Sequence, residues 1–168
     1  MSFTTKQKFD TLCKITRASH FEWREAFIKM FPDVNPMDAV IKYWEIVGRD
    51  TAKAFLKRID RDKPVAPQIA EMIVNSSLAM GESAEASEEN NGHVRLVHSA
   101  CPWYDWHKKY DALEEDQPGC DCWFQTIVQD VNKELNTNVR VETLSSLPAG
   151  DKNCTRIFTE KKNGFPIE

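Results

Sequence analysis

Four of the five cysteines in the chain, Cys101, Cys120, Cys122 and Cys154, fall after residue 100, and His98 and His107 flank the first of them. Thiols and imidazoles suit nucleophilic work near neutral pH: a thiolate attacks an electrophilic carbon while an imidazole carries the proton. Cys101 stands before Pro102, and Cys120 and Cys122 follow Pro118-Gly119. Both spots read as helix entrances, where unpaired backbone N–H groups and the macrodipole favour an anion and would lend a thiol thiolate character. Regular strand alternation puts His98 on the face opposite Cys101, and His107 lies more than a turn into the next helix. Nearness in sequence therefore does not pair either histidine with the thiol.

The Cys120-Asp121-Cys122 segment reads as a redox pair, a metal chelate or two unrelated thiols. Residues two apart on a helix point nearly oppositely, so both sulfurs could reach one ion only from a loop. Helical phase sets Cys120 on the face of Phe124 and Ile127, where a buried structural cysteine is an equal alternative. Zinc would draw about four tetrahedral ligands from Cys101, Cys120, Cys122, Cys154 and His98. No CxxC spacing supports such a set, and the sequence requires no cofactor.

Trp103, Tyr104 and Asp105, with Cys120, are the candidate substrate-binding residues, because small-molecule pockets combine an apolar wall with a few polar groups. The competing reading makes Trp103 and Trp106 core residues at helical spacing with Tyr110, and leaves Asp105 as a carboxylate stabilised by its place in a first helical turn. Cys13, on a stripe with Phe9 and Leu12, reads as a small hydrophobe.

Hydrophobic periodicity gives the elements that must hold these side chains. One or two helices cover Thr4 to Phe31, and Asn35-Pro36 caps a helix whose stripe is Met37, Val40, Ile41, Trp44 and Gly48. The stripe resumes at Ala52, Phe55 and Leu56, either in the same helix or in a new one, and Pro67 opens a helix burying Ile69, Ile73, Ser77 and Leu78. Ser83–Glu88 and Val94–Ala100 flank Glu89-Asn90-Asn91-Gly92 as a hairpin. A short helix after Pro102 follows, then a helix after Pro118-Gly119 with Phe124, Ile127, Val128 and Val131 on one face. Strands near Val139–Thr143 and Cys154–Glu160 close the chain, with an exposed tail from residue 161. Helices segregated from strands predict a single α+β domain: a helical part over 1–80 and a small antiparallel sheet with packed helices over 81–160. The helical part is expected to serve packing, and a homo-oligomer interface if there is one, and to contribute little chemistry.

Composition limits the function classes. The charged fraction of 29% is ordinary, the net charge of -4 forms no basic stripe for nucleic acid, and no apolar run approaches a membrane span. Residues 1–20 lack a signal-peptide pattern and five cysteines make no secreted disulfide framework, so a cytoplasmic protein with free, metal-bound or catalytic thiols is expected.

Cys101-Pro102, the helix carrying Cys122, and the stretch Leu147-Pro148-Ala149-Gly150-Asp151-Lys152-Asn153-Cys154-Thr155-Arg156-Ile157-Phe158 resemble the L-2-amino-thiazoline-4-carboxylic acid hydrolase family. The likeness spans roughly residues 35–160 and extends to 4-vinyl-reductase-like small-molecule-binding domains. It implies hydrolytic opening of a small cyclic C–N substrate. Cys101, Cys122 and Cys154 are the matching cysteine positions, and with His98 they form the candidate catalytic set; Cys120 is an addition to the pattern. Two function classes follow: a hydrolase using a thiolate or polarised water, or a noncatalytic sensor or accessory module that binds a small molecule or a metal in the same cavity.

Overall fold

The computed structural model describes residues 2–89 and 92–160. Helix α1 (Thr5–Met30) is one continuous helix, started by a capping box in which the Thr4 hydroxyl accepts from the Gln7 N–H and the Gln7 side chain accepts from the Thr4 N–H. It buries only Cys13, Arg17 and Phe21. Arg24 ties it to the rest of the fold through a two-point ion pair with the buried Glu115.

Helix α2 (Pro36–Leu56) begins where Asn35 accepts from the Met37 N–H at 3.0 Å, and it runs through Gly48 without a break. Gly48 is a packing requirement: a Cβ there would stand 2.8 Å from the Thr126 Cβ of α5 (Leu113–Leu135). Helix α3 (Val65–Ala79) opens two residues before Pro67, because the Glu160 carboxylate accepts from the first N–H groups of Val65 and Ala66 at 2.7 and 2.9 Å. Ser77 is buried on it as expected, whereas Leu78 faces outward at 49% exposure.

Strands β1 (Ser83–Glu88), β2 (His93–Ala100), β3 (Val139–Ser145) and β4 (Cys154–Glu160) form an antiparallel sheet in the order β1-β2-β4-β3. The Asn90-Asn91 turn expected between β1 and β2 lies outside the described residues, as does the tail from 161. Helix α3 packs on β1, β2 and β4, α5 packs on β3, and α2 lies along α5. Phe55, Ile69, Ile73, Leu96, Ile127, Val131 and Phe158 form the core between these layers. The chain is thus α+β, with its helical part first, and among the described residues no helix is long and apolar enough to cross a membrane.

Two helix starts decide the surroundings of the cysteines. Helix α4 (Pro102–Lys109) begins after Cys101, which takes the N-cap position without capping any N–H through its side chain. Helix α5 begins at Leu113, upstream of the expected entrance at Pro118-Gly119. The acidic run Glu114-Glu115-Asp116 forms its first turn, where carboxylates suit the macrodipole, and Pro118 is carried inside the helix. Cys120 and Cys122 therefore lie well within α5, away from any helix entrance.

Candidate functional site

In the β2–β4 pair His98 stands opposite Cys154 and Leu96 opposite Arg156. The period of two places His98, Cys154 and Arg156 on the inner face with Val94, Leu96 and Phe158, so the apolar face of the sheet turns polar toward the Ala100 end. A cavity of about 280 Å³ sits there. Helix α2 contributes Tyr43, Trp44, Val47 and Thr51, α3 and its exit contribute Ser76, Ser77 and Met80, and Glu82 comes from the link to β1. Cys101, Trp103, Tyr104 and His107 reach it from α4, Asp116, Cys120, Trp123 and Phe124 from α5, and Leu147 from the 3-10 turn Leu147–Ala149. A second hollow, between α5 and β3, is lined by Asp121, Phe124, Gln125, Val141, Glu142 and Thr143, and no cysteine or histidine lines it.

The polar floor is a short network. His98 Nε2 lies 2.9 Å from the Ser77 hydroxyl and 3.5 Å from a Glu82 carboxyl oxygen, while the Trp103 indole N–H donates to the other Glu82 oxygen at 3.1 Å. His107 Nδ1 lies 2.9 Å from the Trp103 carbonyl and 3.1 Å from Asp116. Arg156 stacks over the Phe124 ring, 4.1 Å from its centroid, and its nearest carboxylate is Asp121 at 3.5 Å. His98 Nδ1, Asp116 Oδ2 and Arg156 Nε are buried without a hydrogen-bond partner among the described residues.

Burial sets the charge state. It holds His98 down to about 4, with the Arg156 charge acting in the same direction. It pushes Glu82 up to about 7, against the hydrogen bonds of Ser77 and Trp103 and the charges of Arg17 and Arg156. Cys101 is pushed up to about 12 by burial and then by Glu82. Cys120 and Cys154 are also raised by burial, although the Leu147 N–H donates to the Cys154 sulfur at 3.3 Å. The expected thiolate character is thus overturned: desolvation outweighs the helix entrance at Cys101, and Cys120 is at no entrance at all.

Six of the eight residues singled out from sequence line this one cavity: Cys101, Cys120, Cys154, His98, Trp103 and Tyr104. Cys122 does not; it points to α2, its thiol donating to the Ile41 carbonyl at 3.5 Å. Asp105 does not either, being exposed beside Lys108 at 3.5 Å. His98 and Cys101 share the cavity despite the strand-alternation expectation, because β2 ends at Ala100 and Cys101 already turns into α4. Among the described residues no group of three or more His, Cys, Asp or Glu side chains is arranged to hold a metal ion, so the zinc set drawn from the cysteines and His98 is not assembled. The helical part, expected to contribute little chemistry, supplies much of the wall through Tyr43, Trp44, Val47, Thr51, Ser76, Ser77 and Met80. Sequence reasoning gave no role to Ser77, Glu82 and Arg156; Ser77 had a signal as a polar residue on the buried face of its helix, and Arg156 as a cation at an inward position of a strand between Cys154 and Phe158.

No protein-family model and no curated protein matches the chain. Solved structures do. One is trafficking protein particle complex subunit 3 from Naegleria fowleri covalently bound to palmitic acid, 14% identical over 89% of this chain and 97% of that chain, with a TM-score of 0.54. Another is the phenol-responsive sensory domain of the transcription activator PoxR with phenol, 10% identical over 84% and 73%, with a TM-score of 0.57. A third is an H-NOX domain from Shewanella oneidensis in its Fe(II)CO ligation state, 9% identical over 85% and 74%, with a TM-score of 0.50. At these identities the likeness is one of fold.

Proposed function

We propose that this chain is a small-molecule-binding domain of sensory or accessory type, with its ligand site in the cavity between α2, α4, α5 and the β2–β4 pair. The observation that carries the reading is a cavity of about 280 Å³ with Trp44, Trp103 and Trp123 in its wall and polar atoms of His98, Asp116 and Arg156 that have no hydrogen-bond partner among the described residues. An apolar cavity of about 150 Å³ accommodates benzene, so this one has room for a one- or two-ring compound. The protonated state of the cavity thiols favours binding over nucleophilic attack. The likeness of fold to a phenol-responsive sensory domain agrees with the reading. The three wall tryptophans are built-in reporters. Titration of the full chain with one- and two-ring aromatic and heterocyclic compounds should change their fluorescence saturably and raise the unfolding temperature. Val47→Phe, which fills the cavity from α2, should abolish both effects, and a saturable response that survives it would place the ligand elsewhere.

A second reading, ring-opening hydrolysis of the type implied by the resemblance to the L-2-amino-thiazoline-4-carboxylic acid hydrolase family, is favoured by Glu82. Its carboxyl titrates at about 7, the range suited to a general base. The Glu82 carboxylate would take a proton from water as the oxygen bonds to the ring carbon and pass it to the ring nitrogen; as the C–N bond breaks, the proton of the new hydroxyl follows to the same nitrogen, leaving a carbonyl and a free amine. A product heavier by one water, formed by the wild type and not by Glu82→Gln, would decide for this reading.

A further inference from the structure

We propose that the ligand is a small planar carboxylic acid whose carboxylate is received by Arg156. This rests on the binding reading and names the ligand class. Arg156 is only 2% exposed and lines the cavity, yet among the described residues its guanidinium has one anionic partner, and that one is not close. Asp121 stands 3.5 Å away, beyond a charge-assisted hydrogen bond of about 2.7–2.9 Å. The two Asp121 oxygens are already engaged, one accepting from the Thr143 hydroxyl at 2.7 Å and the other from the Gln117 amide at 2.7 Å.

Of the two other carboxyls that line the cavity, Glu82 is kept partly protonated at neutral pH by burial and accepts from Trp103, and Asp116 lies against His107 Nδ1 at 3.1 Å. The neighbouring thiols of Cys120 and Cys154 are held in the neutral form by burial. A guanidinium this deeply buried calls for an anion with matching geometry, and a carboxylate meets its planar fork with two parallel hydrogen bonds. The Arg156 Nε is the donor left free for one of them. Phe124 holds the guanidinium plane from one side, and His98 Nδ1, also unpartnered, offers a further polar contact. The tryptophan wall then takes the flat apolar remainder of the molecule.

The test compares acids with neutral isosteres on the full chain by calorimetry at pH 7.5: benzoate against benzamide, and 2-naphthoate against 2-naphthamide. The expected result is at least a tenfold preference for the acid in one or both pairs, falling to less than threefold in Arg156→Gln. Should that variant fail to fold, Arg156→Lys, which keeps the charge and loses the fork, is expected to reduce the preference, and the wild-type comparison stands by itself. Equal or tighter binding of the amides overturns the carboxylate assignment and leaves the binding reading intact. An acid preference that Arg156→Gln fully retains assigns the anion to another group and overturns the role of Arg156. Absence of binding by all four compounds overturns the binding reading as well.

Discussion

Replacing Glu82 by glutamine removes a titration that the fold works against. The Glu82 carboxyl rises from its ordinary value of 4.5 to about 7 because burial disfavours its charged form. Between those values the folded chain binds more protons at this site than the unfolded chain, so the site lowers stability as pH rises. At about 1.4 kcal/mol per pH unit, the span corresponds to roughly 3 kcal/mol, absent below pH 4.5 and fully developed above pH 7. His98 works in the opposite sense: held down to about 4 from 6.5, it makes the fold lose stability as pH falls through that window. The two effects oppose each other in the wild-type curve, and the difference between wild type and Glu82→Gln reads the carboxyl together with its contact to His98 at 3.5 Å. Glutamine can still accept from the Trp103 N–H, so the comparison changes charge with little change in shape. Urea unfolding of both proteins at pH 4, 5, 6, 7 and 8 is the assay. Glu82→Gln should gain about 3 kcal/mol on the wild type between the ends of the series. A flat difference, or a wild type that gains on the variant as pH rises, would mean that Glu82 is an ionised partner of Arg156 or Arg17, and would refute the view of it as a neutralised carboxyl.

Cys101, with its thiol pushed up to about 12 from 9.0, should hold about a thousandfold less thiolate than an ordinary cysteine. Iodoacetamide labelling of the native chain at pH 8, followed by peptide mapping, should find it modified at least a hundredfold more slowly than free cysteine; labelling at the free rate would restore it as a nucleophile. Gly48→Ala should lower stability by about 1–3 kcal/mol even though alanine favours helix, because the new Cβ would meet Thr126 at 2.8 Å and the Trp123 carbonyl at 3.1 Å. An unchanged or raised urea midpoint would contradict the close approach of α2 and α5.

The elements were legible in the sequence because each is written in local chemistry. The Asn35-Pro36 cap, the period of Phe124, Ile127, Val128 and Val131, and the alternation from Val139 to Thr143 specify helix or strand without reference to distant residues. The same local signals located Cys101, Cys154, His98, Trp103 and Tyr104, all at or near the ends of elements. Local reading misplaced the start of α5, since Pro118 and Gly119 look like a break and are tolerated within a helix whose Gly119 lets Trp44 approach; a Cβ there would lie 2.8 Å from the indole nitrogen. That one shift moved Cys120 and Cys122 from a helix entrance to a helix interior and sent Cys122 toward Ile41.

What only the tertiary structure decided is which polar groups lose water together. Nothing along the chain marks Glu82 as buried, and the inward places of Ser77 and Arg156 do not say what they face; the pairing of Leu96 with Arg156 and of His98 with Cys154, under the roof of α2, α4 and α5, buries all three around one cavity. Desolvation is a property of that enclosure and not of any single residue, so it raises Glu82 and the Cys101 thiol and leaves Arg156 with only Asp121, 3.5 Å away, as its anionic partner among the described residues, which the neighbours of these residues along the chain do not specify.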